Sequence, residues 1–132
     1  MVLGHLGINV PDLDAARRYY GALLPALGFE VFVDDTDQIA YRPAAGKPGT
    51  YLFFYPAADD GPYSPDATGL QHLAFIVRSR DQVRAVHALA RRLGSVERHA
   101  PQDWPQYPPP YFAAFWRDPF GITIEAVCHH DR

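Results

Sequence analysis

Gly69-Leu70-Gln71-His72-Leu73-Ala74-Phe75-Ile76-Val77 decides the reading of this chain, because Leu3-Gly4-His5-Leu6-Gly7-Ile8-Asn9-Val10 has already stated it once. Each copy is a His followed by Leu, a small residue, an apolar residue, a variable position and Val. Each then runs into a helical pattern. The two His are 67 residues apart, about half of the 132-residue chain. Self-similarity at a fixed period is the mark of a duplicated supersecondary unit, so the spacing predicts two versions of one module.

Working outward from the first copy, Leu6, Ile8 and Val10 alternate with His5, Gly7 and Asn9, as in a strand with one apolar face. Pro11 ends it and Asp12 is the expected N-cap of the next element. Leu13, Ala16, Tyr20, Leu23 and Leu27 recur at helical spacing and predict a helix over 12–24, which Pro25 should stop or kink. Strands are expected over 29–33, 38–42 and 51–55. A Pro-, Asp- and Gly-rich stretch then separates the halves.

The second half repeats the order. A strand over 70–77 leads to Ser79 and Gln82, spaced as a capping box. Val83, Val86, Ala90 and Leu93 give the buried face of a helix, and short strands follow over 95–99, 111–116 and 122–128. Residues 101–110 read as a stiff aromatic loop, and Asp118-Pro119-Phe120-Gly121 as a turn. The fold class is therefore α+β: two βαβββ modules, each a curved, mostly antiparallel half-sheet, around a cleft. The expected organisation is one domain over 1–132. Module 1 covers about 1–56, a connector 57–68, and module 2 about 69–128.

Composition limits the function classes. A 48% hydrophobic and 20% charged chain is globular rather than disordered. A net charge of −3 offers no footprint for nucleic acid or an anionic membrane. No run approaches a membrane span, and the start lacks the basic-then-apolar pattern of an export signal. Cys128, the one cysteine, cannot form an internal disulfide. Missing signal and lone thiol together imply the cytoplasm.

Glu125 lies among Ile122, Ile124, Ala126 and Val127, where a carboxylate is costly to bury unless it is paired or bound to a cation. If the halves meet face to face, His5, His72 and Glu125 can converge. Two His and one carboxylate on rigid strands form a ligand set that leaves coordination positions open. Read alone, a strand His is more often a satisfied core or edge residue, and a Glu near a C-terminus a surface one. The repeated His context and the apolar setting of Glu125 give a metal as much weight as that bland reading, and both stay open at this point.

The paired His-Leu strands, the two βαβββ halves and the closing Asp118-Pro119-x-Gly121-x-x-x-Glu125 resemble the vicinal oxygen chelate superfamily, over essentially the whole chain. That superfamily holds the glyoxalases, the bleomycin-resistance proteins and the extradiol dioxygenases. The resemblance implies His5, His72 and Glu125 as ligands of one divalent ion (Fe2+, Mn2+, Ni2+ or Zn2+), and a homodimer. Aligning Gly49 with Gly121 puts Phe53 opposite Glu125. Glyoxalase I-like members carry a further ligand there, usually Glu, and a phenyl ring can neither ligate nor move a proton. This argues against glyoxalase I chemistry. Fosfomycin-resistance transferases need cationic groups, whereas Lys47 is the only lysine and the arginines fall largely on helices.

Around the ligands, Tyr51, Tyr55 and Tyr111 are candidate acid–base groups, with aromatic packing as the bland alternative for the first two. Asn9, Phe53, Trp104 and Tyr107 are candidate substrate contacts, the last two on a loop that could act as a lid. His87 and His99 read as structural or exposed, and His129 and His130 as a solvated tail. The resulting expectation is a metal-dependent enzyme of the glyoxalase/dioxygenase type, chelating vicinal oxygens of a small apolar or aromatic substrate. The rival is a non-catalytic antibiotic-binding protein of the bleomycin-resistance type.

Overall fold

Apolar residues bury one face of most strands, the edge strands over 29–34 and 96–103 excepted, and each helix lays its apolar stripe on the buried face. In a computed structural model describing residues 2–59 and 61–132, this pattern builds two compact units, 1–61 and 62–132. The boundary falls inside the Pro-rich stretch.

The first unit contains β1 (His5–Val10), α1 (Leu13–Ala26), β2 (Phe29–Asp34), β3 (Ile39–Pro43), a 3-10 turn (Ala44–Gly46) and β4 (Tyr51–Pro56). Its sheet order is β1-β4-β3-β2, with β1 parallel to β4 and the other pairs antiparallel. The second unit repeats this with β5 (His72–Val77), α2 (Arg80–Arg92), β6 (Val96–Asp103), β7 (Phe112–Arg117) and β8 (Thr123–Cys128). Its order is β5-β8-β7-β6, again with only the outer β5–β8 pair parallel. The α+β class and both βαβββ modules are as the sequence pattern predicts.

The helices begin where short polar side chains can take orphan N–H groups. Ala15 N–H donates to Asp12 Oδ1 (3.0 Å), and Gln82 N–H to Ser79 Oγ (3.1 Å). Gln82 returns its Oε1 to the Arg78 N–H (2.7 Å), one residue before the Ser79 expected of a standard capping box. Both helices exit through a glycine in left-handed backbone, Gly28 (φ +88) and Gly94 (φ +92), a conformation that costs other residues.

Two boundaries differ from expectation. α1 runs through Pro25 to Ala26. At the last turn proline forfeits a single intrahelical bond, and the final carbonyls are taken by Leu27 N–H (to Leu24, 2.9 Å) and Gly28 N–H (to Pro25, 3.2 Å). β6 runs on to Asp103, absorbing Pro101, so the aromatic connector is only 104–111. β6 is an edge strand with register shifts between Glu97 and His99 and between His99 and Gln102; Pro101 sits where no ladder N–H is needed.

In the first core, Tyr20, Leu23 and Leu24 of α1 are fully buried with Tyr41 and Phe54, and Tyr20 stacks on Phe54 at 4.4 Å. In the second, Val83, Val86 and Ala90 of α2 are buried, as are Trp116 and Ile124 of the sheet. His87 joins that face, its ring 6.3 Å from Trp116. Each large apolar side chain so buried contributes ~1.5–3 kcal/mol. With the even-numbered residues of β7 and β8 turned to the helix, their odd-numbered neighbours are free to build a site on the other face.

Candidate functional site

Strand register sets the second unit's open face. β8 lies between β5 and β7, and two rows cross it: Ala74–Glu125–Phe115 and His72–Thr123–Arg117. All point away from α2. They floor a cleft of about 480 Å³ lined entirely by second-unit residues. His99, Trp104, Tyr107 and Tyr111 rise beside this floor, and Arg98 lines it too.

Glu125 is 1% exposed and answers the burial problem its sequence context posed. Tyr111 Oη donates to its Oε2 at 2.5 Å. Its other oxygen, Oε1, faces His72 Nε2 at 3.4 Å. His72 Nδ1 lies 3.0 Å from Gln71 Oε1, which can only accept, so the ring proton belongs on Nδ1. That tautomer leaves a lone pair on Nε2. Two lone-pair atoms therefore face each other, at a separation too long for a good hydrogen bond. The arrangement suits a shared cation, and an imidazole nitrogen beside a carboxylate oxygen is a donor set for borderline divalent metals. Burial first, then the hydrogen bond and charge of Glu125, push the Tyr111 phenol well above the ordinary tyrosine range, so Tyr111 stays a donor.

Aromatic rings make the wall. His99, Trp104 and Phe115 meet edge to face, with centroids 5.0 Å (His99–Trp104), 5.1 Å (Trp104–Phe115) and 5.8 Å (His99–Phe115) apart. Trp104 is fixed by donating Nε1–H to the Ala113 carbonyl (3.0 Å). Tyr107 packs on Tyr111 at 4.7 Å. The connector thus presents its aromatics to the same cleft as Glu125.

The first unit carries the equivalent face with different chemistry. His5 pairs with Tyr51 as His72 pairs with Thr123, and Gly7 pairs with Phe53 as Ala74 pairs with Glu125. Phe53 thus holds, position for position, the place of Glu125. The His5 ring lies 5.3 Å from the Phe53 ring, where His72 has a carboxylate. Tyr55 stacks along Phe53 (6.2 Å), Phe32 meets Tyr51 (5.2 Å), and Asn9 is exposed beside Tyr55. Among the described residues no group of three His, Cys, Asp or Glu gathers within either unit. Of the three ligands the sequence suggested, the second unit brings His72 and Glu125 together, and His5 stands on the first strand of the first unit.

Sequence reasoning passed over Gln71, Arg98, His99, Phe115 and Arg117. Period-two alternation from Glu125 across its neighbour strand could have found Phe115 and Arg117. No sequence signal marks the bulges that bring Arg98 and His99 to the cleft.

The profile of the Glyoxalase/Bleomycin resistance protein/Dioxygenase superfamily matches residues 2–126, and the chain belongs to that superfamily. A Bacillus subtilis (strain 168) protein, YqjT, itself uncharacterized, is 30% identical, covering 93% of this chain and 95% of its own. A Bacillus halodurans crystal structure, named provisionally as a glyoxalase, is 28% identical with a TM-score of 0.80 and covers 96% of this chain and 94% of its own. A glyoxalase/bleomycin resistance protein of Albidiferax ferrireducens T118 shares the fold at 23% identity and a TM-score of 0.78, covering 97% and 98% of the two chains. No helix among the described residues is long and apolar enough to cross a membrane.

Proposed function

We propose that the protein is a metal-dependent enzyme of the glyoxalase/dioxygenase type, acting on a small, flat substrate with adjacent oxygens. The carrying observation is the facing pair on the cleft floor, His72 Nε2 and Glu125 Oε1 at 3.4 Å, each side chain's remaining polar atom already engaged. His72 and Glu125 would hold the ion, with His5 as the third ligand. A divalent ion so held, Fe2+, Mn2+, Ni2+ or Zn2+, supplies Lewis acidity toward vicinal oxygens.

The chain's own residues do the rest. Gln71 keeps the His72 proton on Nδ1, so Nε2 is free to ligate. Tyr111 holds the carboxylate plane of Glu125 and satisfies the oxygen that would otherwise be buried alone. Trp104, His99 and Phe115 offer ring faces and edges to a flat apolar body and exclude water from it. Phe53, in the place of a fourth ligand, supports a three-ligand site without the proton-transferring carboxylate of glyoxalase I chemistry. We take the enzyme to work in the cytoplasm as a homodimer.

The aromatic face of the first unit, with Phe53 stacked on Tyr55, favours one second reading: a protein that sequesters a flat antibiotic without turning it over. Turnover assays separate the two. Catechols, for oxygen uptake, are offered to protein loaded with each metal in turn, with 2-oxoaldehyde–thiol adducts as the class expected to fail because Phe53 stands where the proton-transferring carboxylate would be. The enzyme reading expects turnover of one class, lost to a chelator and restored by one metal. Saturable binding of a flat antibiotic, with no turnover under any metal, would support sequestration instead.

A further inference from the structure

We propose that the cleft reads a carboxylate at its Arg98–Arg117 end, so that the ligand is a small aromatic acid with its vicinal oxygens at the opposite end. The inference deepens the proposed function, and rests on it only for the orientation of the oxygens. Arg117 lies level with Thr123 on β7, diagonal to Glu125 and on the same face. Diagonal neighbours across antiparallel strands stand ~7–8 Å apart, roughly the span of one substituted benzene ring. Phe115, directly opposite Glu125 and two residues before Arg117 on the same face of β7, would pack against that ring.

The charge at this end is uncommitted. Among the described residues neither of the two arginines that line the cleft, Arg98 and Arg117, makes an ion pair; Arg17, Arg42, Arg80, Arg84 and Arg91 do, while Arg18, Arg78, Arg92 and Arg132 share the unpaired state outside the cleft. The Nε of Arg117 is closed off from solvent without a hydrogen-bond partner, and Arg117 lines the cleft. A partly buried guanidinium in this condition gains most from an anion that takes its remaining N–H groups. The nearby carboxylates are otherwise placed. Glu125 accepts from Tyr111 and faces His72. Asp118 accepts from the Phe120 and Ile122 N–H groups of its own turn. Asp66 lines the same cleft but is exposed. The bidentate geometry of a carboxylate suits a guanidinium fork better than a neutral hydroxyl does.

The test uses the full-length, metal-free protein and two probes that differ in one group: 3,4-dihydroxybenzoate and 4-methylcatechol. Titration calorimetry should show the acid binding roughly tenfold more tightly than the methyl analogue. The preference should shrink to about twofold in Arg117→Gln, persist in part in Arg117→Lys, and weaken with added salt. Arg98→Gln should reduce it as well, which keeps the test usable if an Arg117 variant misfolds. Glu125→Ala should weaken both probes and leave their ratio intact. Loss of the ratio with retention of diol binding would sink this inference and spare the metal reading. Retention of the ratio in a protein that takes up no divalent metal on reconstitution would do the reverse. Equal affinities in the wild type, no saturable binding of either probe, or a preference unchanged in Arg98→Gln/Arg117→Gln would each overturn the proposal.

Discussion

Replacing Tyr111 by Phe tests the electrostatic logic of the cleft floor without touching a proposed ligand. Tyr111 donates at 2.5 Å to a carboxylate only 1% exposed, and its ring is otherwise packed against Tyr107 and His129. The substitution keeps the ring, so packing is preserved and the hydrogen bond alone is lost. A bond to a buried charged group is worth ~1.5–3 kcal/mol, because the abandoned oxygen keeps its desolvation cost. We therefore expect Tyr111→Phe to destabilise the metal-free protein by about 2 kcal/mol, a fall of about 6 °C in Tm for a domain of this size. Urea unfolding at neutral pH measures it. In a Glu125→Met background the same change should cost nothing, since no carboxylate is left to satisfy, giving a coupling energy of about 2 kcal/mol. Equal destabilisation in both backgrounds would show that Tyr111 acts through packing, and the account of how Glu125 is held would be wrong.

Two further predictions concern the cores and turns that position the site. Tyr41 is fully buried with no partner for its hydroxyl, and burial pushes its phenol up to about 12. The unfolded chain ionises near 10, so this contribution is intact below about pH 10 and is lost as pH rises toward 12, by about 2–3 kcal/mol. Tyr41→Phe should abolish that alkaline loss and leave stability at neutral pH equal or up to ~1 kcal/mol higher, as urea midpoints at about pH 8 and about pH 11 would show. Asp118 is 5% exposed and accepts from the Phe120 and Ile122 N–H groups at 2.8 Å each. Asp118→Ala should cost about 2–3 kcal/mol in thermal unfolding and Asp118→Asn distinctly less; equal effects would deny the acceptor role.

What could be read from the sequence was what is local or periodic. The Asp12 and Ser79 caps depend on three-residue spacings, and the repeated βαβββ order of elements along the chain follows from the duplicated His-Leu pattern. The equivalence of Phe53 and Glu125 could be read because the two glycines kept the modules in phase. The extent of β6 could not. Its pairing survives Pro101 only because it is an edge strand with two register shifts, a tertiary circumstance. His99 reads as structural or exposed, and it is exposed; that it also lines the cleft depends on the bulge, which decides which way it faces. The arginines were judged by their number on helices, yet the two at the cleft, Arg98 and Arg117, are strand residues whose importance comes from register with β8. Gln71 carries no signal of its own; its role depends on where the His72 ring turns.

The central claim is that His72 and Glu125 face each other to hold a metal, and metal content tests it most directly. Protein purified without oxygen or chelator, and the Glu125→Ala and His72→Ala variants treated alike, would be measured by elemental analysis. The account predicts close to one divalent ion per chain in the wild type and loss of most of it in either variant, with folded structure retained. A wild type free of metal that also fails to take up iron, manganese, nickel or zinc on reconstitution would contradict it.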